Sequence, residues 1–384
     1  MINNVKTIGI IGGGQLGKMM ILDAKRLGFK IVVLDPAEDC PCHSISDRHI
    51  VANFNSQEGF LELAALSDVI TYEFEHINVD LLSMLEKNGS KIFPSVESLR
   101  IIQDKLWQKD ALAKKGIAVP TFIAANSING VYDYYAKIKK PFFLKSRRGG
   151  YDGKGNFFIK TYDDIALGFT ALKGDKNDLM IETAVNFEKE VSVIATRSLS
   201  GDCVVYPIAD NVHKNSILDT TCVPADISEQ TKNKAIEIAA QVMECFNGVG
   251  TFCVELFVSG NDVYVNEVAP RVHNTGHYTI EACRVSQFEN HIRAITGLGL
   301  GSTDMTVNAA IMKNVIGKEN QDGKAKFTGI EQAYNLFNNV NAHVYGKEEV
   351  KEGRKMGHYT ITGDSLEECK DALKKIDIRA ICET

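Results

Sequence analysis

The first hundred residues alternate between short apolar runs and longer segments in which apolar residues recur at helical spacing. The predicted strands are residues 7–11, 30–34, 68–72 and 91–93. The predicted helices are residues 16–27, 57–66 and 79–87, the first of which ends at Gly28. This alternation is typical of βαβ units. It predicts an N-terminal doubly wound, Rossmann-like domain over residues 1–100.

Beyond a predicted helix over 95–116, the pattern changes to longer strands and glycine-rich loops. The predicted strands are residues 141–144, 157–159, 179–185, 190–197, 203–207, 252–258, 263–268, 307–316, 341–345 and 358–362. Helices are predicted over residues 229–246 and 286–296 and after Ser365, and 297–301 has the composition of a linker. We therefore expect a mixed α/β and α+β chain, with a second domain over 101–300 and a C-terminal domain over 301–384.

Length and composition narrow the class of protein. A chain of 384 residues is too long to fold around one typical hydrophobic core, so more than one domain is expected. A composition of 44% hydrophobic and 24% charged residues is ordinary for a globular protein. The net charge of −6 predicts no general attraction to nucleic acid or to an anionic membrane. With no signal peptide, no run of 18 apolar residues and nine scattered cysteines, we expect a cytoplasmic protein with reduced thiols.

Two acids lie in a predicted β-hairpin, and the register of its strands decides whether they meet. A three-residue loop would place Glu255 opposite Glu267, whereas a two-residue loop would place Glu255 opposite Asn266. Directly opposed carboxylates lie about 5 Å apart and repel each other. Such a pair favours a hard cation, and Mg²⁺ is the usual one beside nucleotide phosphates. The alternative is a pair of solvated acids on an edge strand.

Two glycine-rich loops carry candidate phosphate chemistry. Residues 12–17 read GGGQLG after a strand and before a helix, and Asp35 follows, which is close to a dinucleotide fingerprint. Residues 145–156 contain four glycines and four cations between two strands, which predicts a flexible positive flap over phosphates. Glu73 follows the strand at 68–72, at the edge of a parallel sheet where ligands bind.

These features in this order resemble the ATP-grasp ligases. The stretches GGGQLGKMM, RRGGYDGKGN, NEVAPRVHNTGH and GRKMGH more closely resemble the 5-(carboxyamino)imidazole ribonucleotide synthase family of purine biosynthesis. The resemblance spans residues 7–362. It implies two α+β subdomains that grip ATP and an acyl-phosphate intermediate.

The resemblance also implies roles for particular residues. ATP would be bound by Lys105, Lys145, Gly150, Tyr151, Asp152, Gly153, Lys154, Gly155, Asn156, Glu182, Thr183, Ala184, Val185, Glu190, His213, Asn266 and Glu267. Mg²⁺ would be bound by Glu255 and Glu267. The ribonucleotide would be bound by Gly13, Gly14, Gln15, Leu16, Glu73, Tyr151, Lys347, Arg354 and Lys355. Arg271, His273 and Asn274 would place bicarbonate, and Asp152 or His273 would accept the proton of the substrate amine.

The reaction implied is ATP-dependent carboxylation of 5-aminoimidazole ribonucleotide with bicarbonate, in a homodimer. Two alternatives stay open at this stage. One is the formate-dependent glycinamide ribonucleotide formyltransferase of the same superfamily, and the other is an NAD-binding Rossmann protein. The partners expected are small molecules, with no nucleic acid and no membrane.

Overall fold

The computed structural model describes residues 5–150, 153–318 and 322–383. Tyr151 and Asp152, which the resemblance places at the ATP and ribonucleotide sites, lie outside the described residues. Within the described part of the chain, no helix is long and apolar enough to cross a membrane. All nine cysteines are free thiols.

The N-terminal region is a four-stranded parallel sheet in the order β3-β2-β1-β4. Its strands are β1 (Thr7–Ile11), β2 (Lys30–Asp35), β3 (Arg48–Val51) and β4 (Val69–Tyr72). Its helices are α1 (Gln15–Arg26), α2 (Gln57–Leu66) and α3 (Val79–Lys87), and the last two begin at the side-chain caps Ser56 and Asn78. The strand expected over residues 91–93 is reduced to one bridge between Ile70 and Ile92.

The single helix expected over residues 95–116 is two helices, α4 (Val96–Ile102) and α5 (Lys105–Lys114). The break lies at Asp104, whose Oδ1 accepts hydrogen bonds from the backbone N–H groups of Leu106 and Trp107. Aspartate favours this cap position over a helix interior because its side chain competes for backbone donors. The break turns α5 toward the sheet that follows.

A small antiparallel sheet comes next, in the order β5-β8-β6-β7. Its strands are β5 (Phe122–Ala125), β6 (Phe142–Ser146), β7 (Asn156–Ile159) and β8 (Leu179–Thr183). Helices α6 (Ile128–Ile138) and α7 (Asp164–Ala171) pack on it around a core that includes Val131, Phe142 and Ile181. The glycine-rich loop joins β6 to β7, as the sequence predicted.

The large sheet follows the order β14-β13-β9-β11-β12-β15-β19-β17, and a ninth strand, β10, pairs with β9. Its strands are β9 (Lys189–Arg197), β10 (Cys203–Val205), β11 (Ala209–Lys214), β12 (Ile217–Val223), β13 (Gly250–Ser259), β14 (Asp262–Ala269), β15 (Ala309–Ile316), β17 (Val340–Val344) and β19 (Lys355–Gly363). Because β12 pairs with β15, the C-terminal strands extend the same sheet. Helix α8 (Glu229–Cys245) packs on β9 and β13.

The remaining elements surround this sheet. They are α9 (Thr279–Ala282), α10 (Gln287–Thr296), β16 (Gly323–Thr328), α11 (Ile330–Leu336), β18 (Glu349–Val350), α12 (Leu366–Leu373) and β20 (Arg379–Cys382). Strands β18, β16 and β20 form a three-stranded sheet. Helix α10 packs against α1, with Phe288 and Ile292 in the same core as Met20. This contact brings the first glycine loop close to the end of the hairpin β13–β14.

Candidate active site

One cavity of about 530 Å³ lies between the small sheet and the outer end of the large sheet. The sequence-predicted residues that line it are Gln15, Leu16, Lys105, Lys145, Gly150, Gly153, Asn156, Thr183, Val185, Glu190, His213, Glu255, Asn266, Glu267, Arg271, His273, Asn274 and Lys355. The described predicted residues outside this lining are Gly13, Gly14, Glu73, Lys154, Gly155, Glu182, Ala184, Lys347 and Arg354. Most of the predicted set therefore meets at one place.

The hairpin that carries the two predicted metal ligands has the shorter of the two alternative turns. Ser259 pairs with Asp262, so the loop has two residues rather than three. That register alone would place Glu255 opposite Asn266. A β-bulge after Glu255 shifts the pairing by one residue, and Glu255 lies opposite Glu267. The two acids therefore meet, although through a bulge and not through a three-residue loop.

The two opposed acids have different partners. Lys105 Nζ lies 2.5 Å from Glu267 Oε1, whereas His273 Nε2 lies 3.8 Å from Glu255 Oε1. Burial and the charge of Glu267 raise the pKa of Glu255 from 4.5 to about 7, and the charge of His213 opposes this. A carboxylate pair that resists full ionisation in this way attracts a divalent cation. The donor set therefore fits Mg²⁺.

Cys253 lies two residues before Glu255 on the same face of β13. Its sulfur, a Glu255 oxygen and a His273 ring nitrogen lie within 4.8 Å of one another. Burial raises the pKa of the Cys253 thiol well above its ordinary value, and the thiol contacts Thr275 Oγ1 at 3.5 Å. A neutral thiol is a weak metal ligand, so the two glutamates are the stronger candidates.

Glu182 has its carboxylate between two lysines. Oε1 lies 2.6 Å from Lys145 Nζ and Oε2 lies 2.7 Å from Lys109 Nζ, and Glu182 and Lys109 are each 2% exposed. Burial raises the pKa of Glu182, but the two ammonium groups outweigh it and the net shift is downward. Burial lowers the pKa of Lys109 to about 8 despite Glu182. Both carboxylate oxygens of Glu182 are thus engaged in ion pairs. Lys109 was not among the predicted site residues.

Aromatic side chains form one wall of the cavity. The rings of Phe187 and Phe257 stack with centroids 4.5 Å apart. Lys145 Nζ lies over the Phe143 ring, 5.6 Å from its centroid. Val185 lines the same wall. A planar heteroaromatic base packs well on such a surface. These phenylalanines were not predicted, although Phe143 comes just before the glycine-rich loop and Phe187 just after the predicted strand over residues 179–185.

Glu190 and His213 meet across the pair β9–β11. His213 Nδ1 lies 2.6 Å from Glu190 Oε2. Burial lowers the pKa of His213, but its hydrogen bond and charge interaction with Glu190 outweigh burial, so the net shift is upward. The two predicted ATP ligands therefore form one hydrogen-bonded unit on the cavity wall.

The glycine-rich loop is closed at its base. Ser146 N–H donates to Gly155 O at 2.7 Å, and a Cβ added at Gly150 would lie 2.5 Å from Lys154 O. Only glycine allows the two sides of the loop to approach this closely. Gly150 and Gly153 both face the cavity.

Two of the loop's four cations are paired with one acid. Arg147 places Nε and Nη2 at 3.0 and 2.7 Å from the Asp104 carboxylate, and Arg148 Nε lies 3.4 Å from the same group. Both guanidinium groups also lie over the Trp107 ring. The two arginines therefore tie the loop to the start of α5. Arg147 also lines the cavity, and the positive flap stays a prediction.

The loop after β14 carries buried polar atoms without partners among the described residues. Arg271 Nη2 lies 2.5 Å from Glu75 Oε1 and Nη1 donates to Val272 O, but Nε has no partner. Both side-chain polar atoms of Asn274 are also unpaired. Buried polar groups are costly unless something hydrogen-bonds to them. Arg271 Nε and Asn274 Nδ2 are donors, and a small oxyanion that reached them could accept from both.

His273 is held through its backbone. Its N–H donates to Gln287 Oε1 at 2.9 Å, and Gln287 Nε2 donates to His273 O at 2.6 Å. Burial, helped by the charge of Arg271, lowers the pKa of His273 well below its ordinary value. The imidazole is therefore neutral at pH 7. Gln287 was not predicted.

The first glycine loop has its backbone donors occupied by the protein's own acids. Gly13 N–H donates to Asp35 Oδ2 at 2.8 Å, and Gly14 and Gly17 donate to the two oxygens of Glu73 at 2.5 and 2.7 Å. Burial raises the pKa of Glu73 although these hydrogen bonds oppose it. A dinucleotide pyrophosphate needs these donors. The NAD-binding alternative is therefore not supported.

The C-terminal cations lie near the opposite rim. Lys347 Nζ donates to Lys355 O at 2.7 Å, and Arg354 Nη1 donates to Glu349 O at 2.8 Å. Lys355 lines the cavity, whereas Lys347 and Arg354 lie outside its lining. Of the three, only Lys355 shares the cavity lining with Gln15 and Leu16.

Three domain families match the chain. The ribonucleotide synthetase preATP-grasp domain matches residues 5–103, the ATP-grasp domain matches 110–288, and the phosphoribosylaminoimidazole carboxylase C-terminal domain matches 310–372. The N5-carboxyaminoimidazole ribonucleotide synthase of Bacillus subtilis (strain 168) is 40% identical over 354 residues, which cover 92% of this chain and 90% of that protein.

Solved structures agree with this match. The Staphylococcus aureus N5-carboxyaminoimidazole synthetase complexed with ADP has a TM-score of 0.88 at 37% identity, over 98% of this chain and 97% of that one. The Aspergillus clavatus N5-carboxyaminoimidazole synthase in complex with ADP and 5-aminoimidazole ribonucleotide has a TM-score of 0.88 at 33% identity, over 97% of each chain. The expected ATP-grasp fold is confirmed, and the chain belongs to the N5-carboxyaminoimidazole ribonucleotide synthase family.

Proposed function

We propose that the chain carboxylates 5-aminoimidazole ribonucleotide with bicarbonate at the expense of ATP. The products are 5-(carboxyamino)imidazole ribonucleotide, ADP and phosphate, formed through carboxyphosphate in purine biosynthesis. The observation that carries the proposal is the opposition of Glu255 and Glu267 in a cavity that is also lined by Arg271 and Asn274, whose side chains have buried polar atoms without partners. Residues that could bind a metal–nucleotide and residues that could bind a small oxyacid therefore line the same cavity.

Glu255 and Glu267 would hold Mg²⁺, with Asn266 beside them. When bound, the metal neutralises charge on the β- and γ-phosphate oxygens of ATP. Lys105 and Lys145 extend into the same cavity and would contact the phosphates. The loop over residues 150–156, including Tyr151 and Asp152, would cover them and exclude water.

The remaining nucleotide contacts follow the cavity wall. Thr183 ends β8 and Ala184 and Val185 follow it, and backbone groups of this segment would hydrogen-bond to the edge of adenine. Glu190 would accept hydrogen bonds from the ribose hydroxyls, and His213 would hold Glu190 in place through their 2.6 Å contact. The stacked phenylalanines supply apolar surface for the base.

The chemistry needs two displacements. An oxygen of bicarbonate attacks the γ-phosphorus, the bond to the ADP oxygen breaks, and carboxyphosphate forms. The amine then bonds to the carbon, whether directly or after release of carbon dioxide, and phosphate leaves. Arg271 and Asn274 would orient bicarbonate through Nε and the amide. Neutral His273 or Asp152 would accept the amine proton, which the lowered pKa of His273 permits.

The ribonucleotide would enter between the N-terminal and C-terminal regions. Gln15, Leu16 and Lys355 line that side of the cavity. Arg354 and Lys347 would add charge for the 5′-phosphate. Because Asp35 and Glu73 occupy the donors of Gly13 and Gly14, these glycines would shape the loop rather than bind phosphate.

We also propose the division into domains over 1–100, 101–300 and 301–384, a homodimer and a cytoplasmic location. The domain division draws on the pattern of elements described above. The homodimer rests on the family resemblance, and the location rests on the sequence composition.

Phosphate release tests the proposed function. The enzyme is assayed with Mg-ATP and each pairing of 5-aminoimidazole or glycinamide ribonucleotide with bicarbonate or formate. Full turnover should require bicarbonate and 5-aminoimidazole ribonucleotide, with label from ¹³C-bicarbonate in the product. Turnover only with formate and glycinamide ribonucleotide would establish the rival ligase instead.

A further inference from the structure

The strand that carries Glu267 has an edge without a neighbouring strand among the described residues, because β14 is outermost in the large sheet. Helix α5 occupies that edge. Val268 N–H donates to Gln108 Oε1 at 2.9 Å, and Gln108 Nε2 donates to Val268 O at 3.1 Å. One amide side chain therefore replaces the two backbone partners that an adjoining strand would supply.

Lys109, the next residue of α5, contacts the bulge itself. Its Nζ lies 2.9 Å from Asn266 O, 3.3 Å from Val265 O and 2.7 Å from Glu182 Oε2. An ammonium group has three donors, so all three are used. A bulge leaves backbone groups outside the strand ladder, and Lys109 satisfies two such carbonyls.

The bulge determines the geometry of the site. Without it, the two-residue loop would place Glu255 opposite Asn266 and turn Glu267 to the other face of the hairpin. Lys105, one turn earlier on the same face of α5, contacts the Glu267 carboxylate. Three residues of one helix face therefore hold the backbone and the side chain of one metal-ligand segment.

We propose that Lys109, together with Gln108, is a positioning residue that fixes the β14 bulge and thereby keeps Glu267 opposite Glu255. The inference rests on the proposed role of these two glutamates in Mg-nucleotide binding. Neither Lys109 nor Gln108 lines the cavity, so both act through β14 rather than on the substrate.

The test replaces Lys109 by methionine, which keeps the length of the side chain but removes its donors. Calorimetry of the full chain measures ADP binding across a series of Mg²⁺ concentrations. We expect the half-saturating Mg²⁺ concentration to rise at least tenfold. In steady-state assays kcat should fall at least tenfold, whereas the KM of the ribonucleotide should change less than twofold.

Lys234→Met is the matched control, because Lys234 Nζ also donates to a backbone carbonyl of this hairpin, Asn261 O at 3.3 Å, but at the far turn. It should leave every parameter within twofold of wild type. If Lys109→Met does not fold, as judged by thermal unfolding, Gln108→Met is measured in its place, because it removes both hydrogen bonds to Val268 and leaves the Lys109–Glu182 pair intact.

A folded variant with wild-type Mg²⁺ dependence and kcat would overturn the proposal, and so would an equal loss in the Lys234 control. The ADP-binding measurement does not depend on which one-carbon acid or ribonucleotide the enzyme uses. If the wild type binds Mg-ADP but fails to carboxylate, the proposed function fails while the role of Lys109 is still decided.

Discussion

Replacing Glu255 by glutamine should stabilise the metal-free protein at alkaline pH while it abolishes turnover. Burial and the facing charge of Glu267 raise the pKa of Glu255 from 4.5 to about 7. A raised carboxyl pKa means that the folded protein keeps a proton that the unfolded chain releases. Below about pH 4.5 Glu255 is protonated in both states and costs the folded protein nothing. Between about pH 4.5 and 7 its ionisation lowers the free energy of unfolding, and above that range the full loss remains.

The magnitude follows from the shift. At about 1.4 kcal/mol per pKa unit, the raised pKa corresponds to about 3 kcal/mol. The side chain is 27% exposed, and solvent screening reduces the expected gain in unfolding free energy at pH 8 to about 2 kcal/mol. Glutamine keeps the shape and removes the repulsion, so it should recover that amount.

Urea unfolding with a metal chelator measures this difference at pH 8 and again near pH 4.5. Glu255→Gln should be more stable than wild type at pH 8, and the two curves should converge near pH 4.5. Glu244→Gln, on the exposed face of α8, is the control for loss of one negative charge and should change stability by less than about 0.5 kcal/mol. A Glu255→Gln variant that is less stable than wild type at pH 8 would show that repulsion between the opposed acids does not destabilise the metal-free protein.

Three further outcomes are expected. Activity at subsaturating Mg²⁺ should fall about tenfold per unit below pH 7, because the metal competes with the proton on Glu255; a pH-independent Mg²⁺ half-saturation between pH 6 and 8 would contradict this. Arg271→Lys should raise the KM of bicarbonate about 10- to 100-fold in steady-state assays, because lysine lacks the Nε donor and the planar fork, and an unchanged KM would exclude Arg271 from bicarbonate binding. Asp104→Asn keeps the helix cap but removes the charge that pairs with Arg147, so the free energy of unfolding in urea should fall by about 2 kcal/mol. For the control Asp110→Asn, whose side chain is 49% exposed, it should change by less than about 0.5 kcal/mol.

Much of the local structure is readable from the sequence where the cause is local. The predicted bounds of α2 and α3 match the structure, in which the side chains of Ser56 and Asn78 cap the two helices. The break between α4 and α5 was missed, although Asp104 was a visible signal: aspartate in a helix interior competes for backbone donors and favours a cap.

The bulge in β14 lies beyond sequence reasoning for a different reason. The two-residue turn is a local choice, but the shift that follows it is stabilised by Gln108 and Lys109, which are distant in the chain and lie on another element. The same holds for the two loop arginines, whose partner is a helix cap. Which acid holds each cation of the glycine-rich loop depends on tertiary contacts that the sequence does not show.

Acidic partners explain how a chain of net charge −6 can hold several positive side chains around one cavity. Three of these cations are already paired with an acid: Lys105 with Glu267, Lys145 with Glu182, and Arg271 with Glu75. These pairs neutralise the cations and fix their side-chain positions, so less conformational entropy is lost when an anion binds. They differ in one respect, because Glu182 is also held by Lys109, whereas Glu267 would also bind the proposed metal. We therefore expect the partner of Lys105 to change most when Mg-nucleotide binds, and the position of Lys145 to change least.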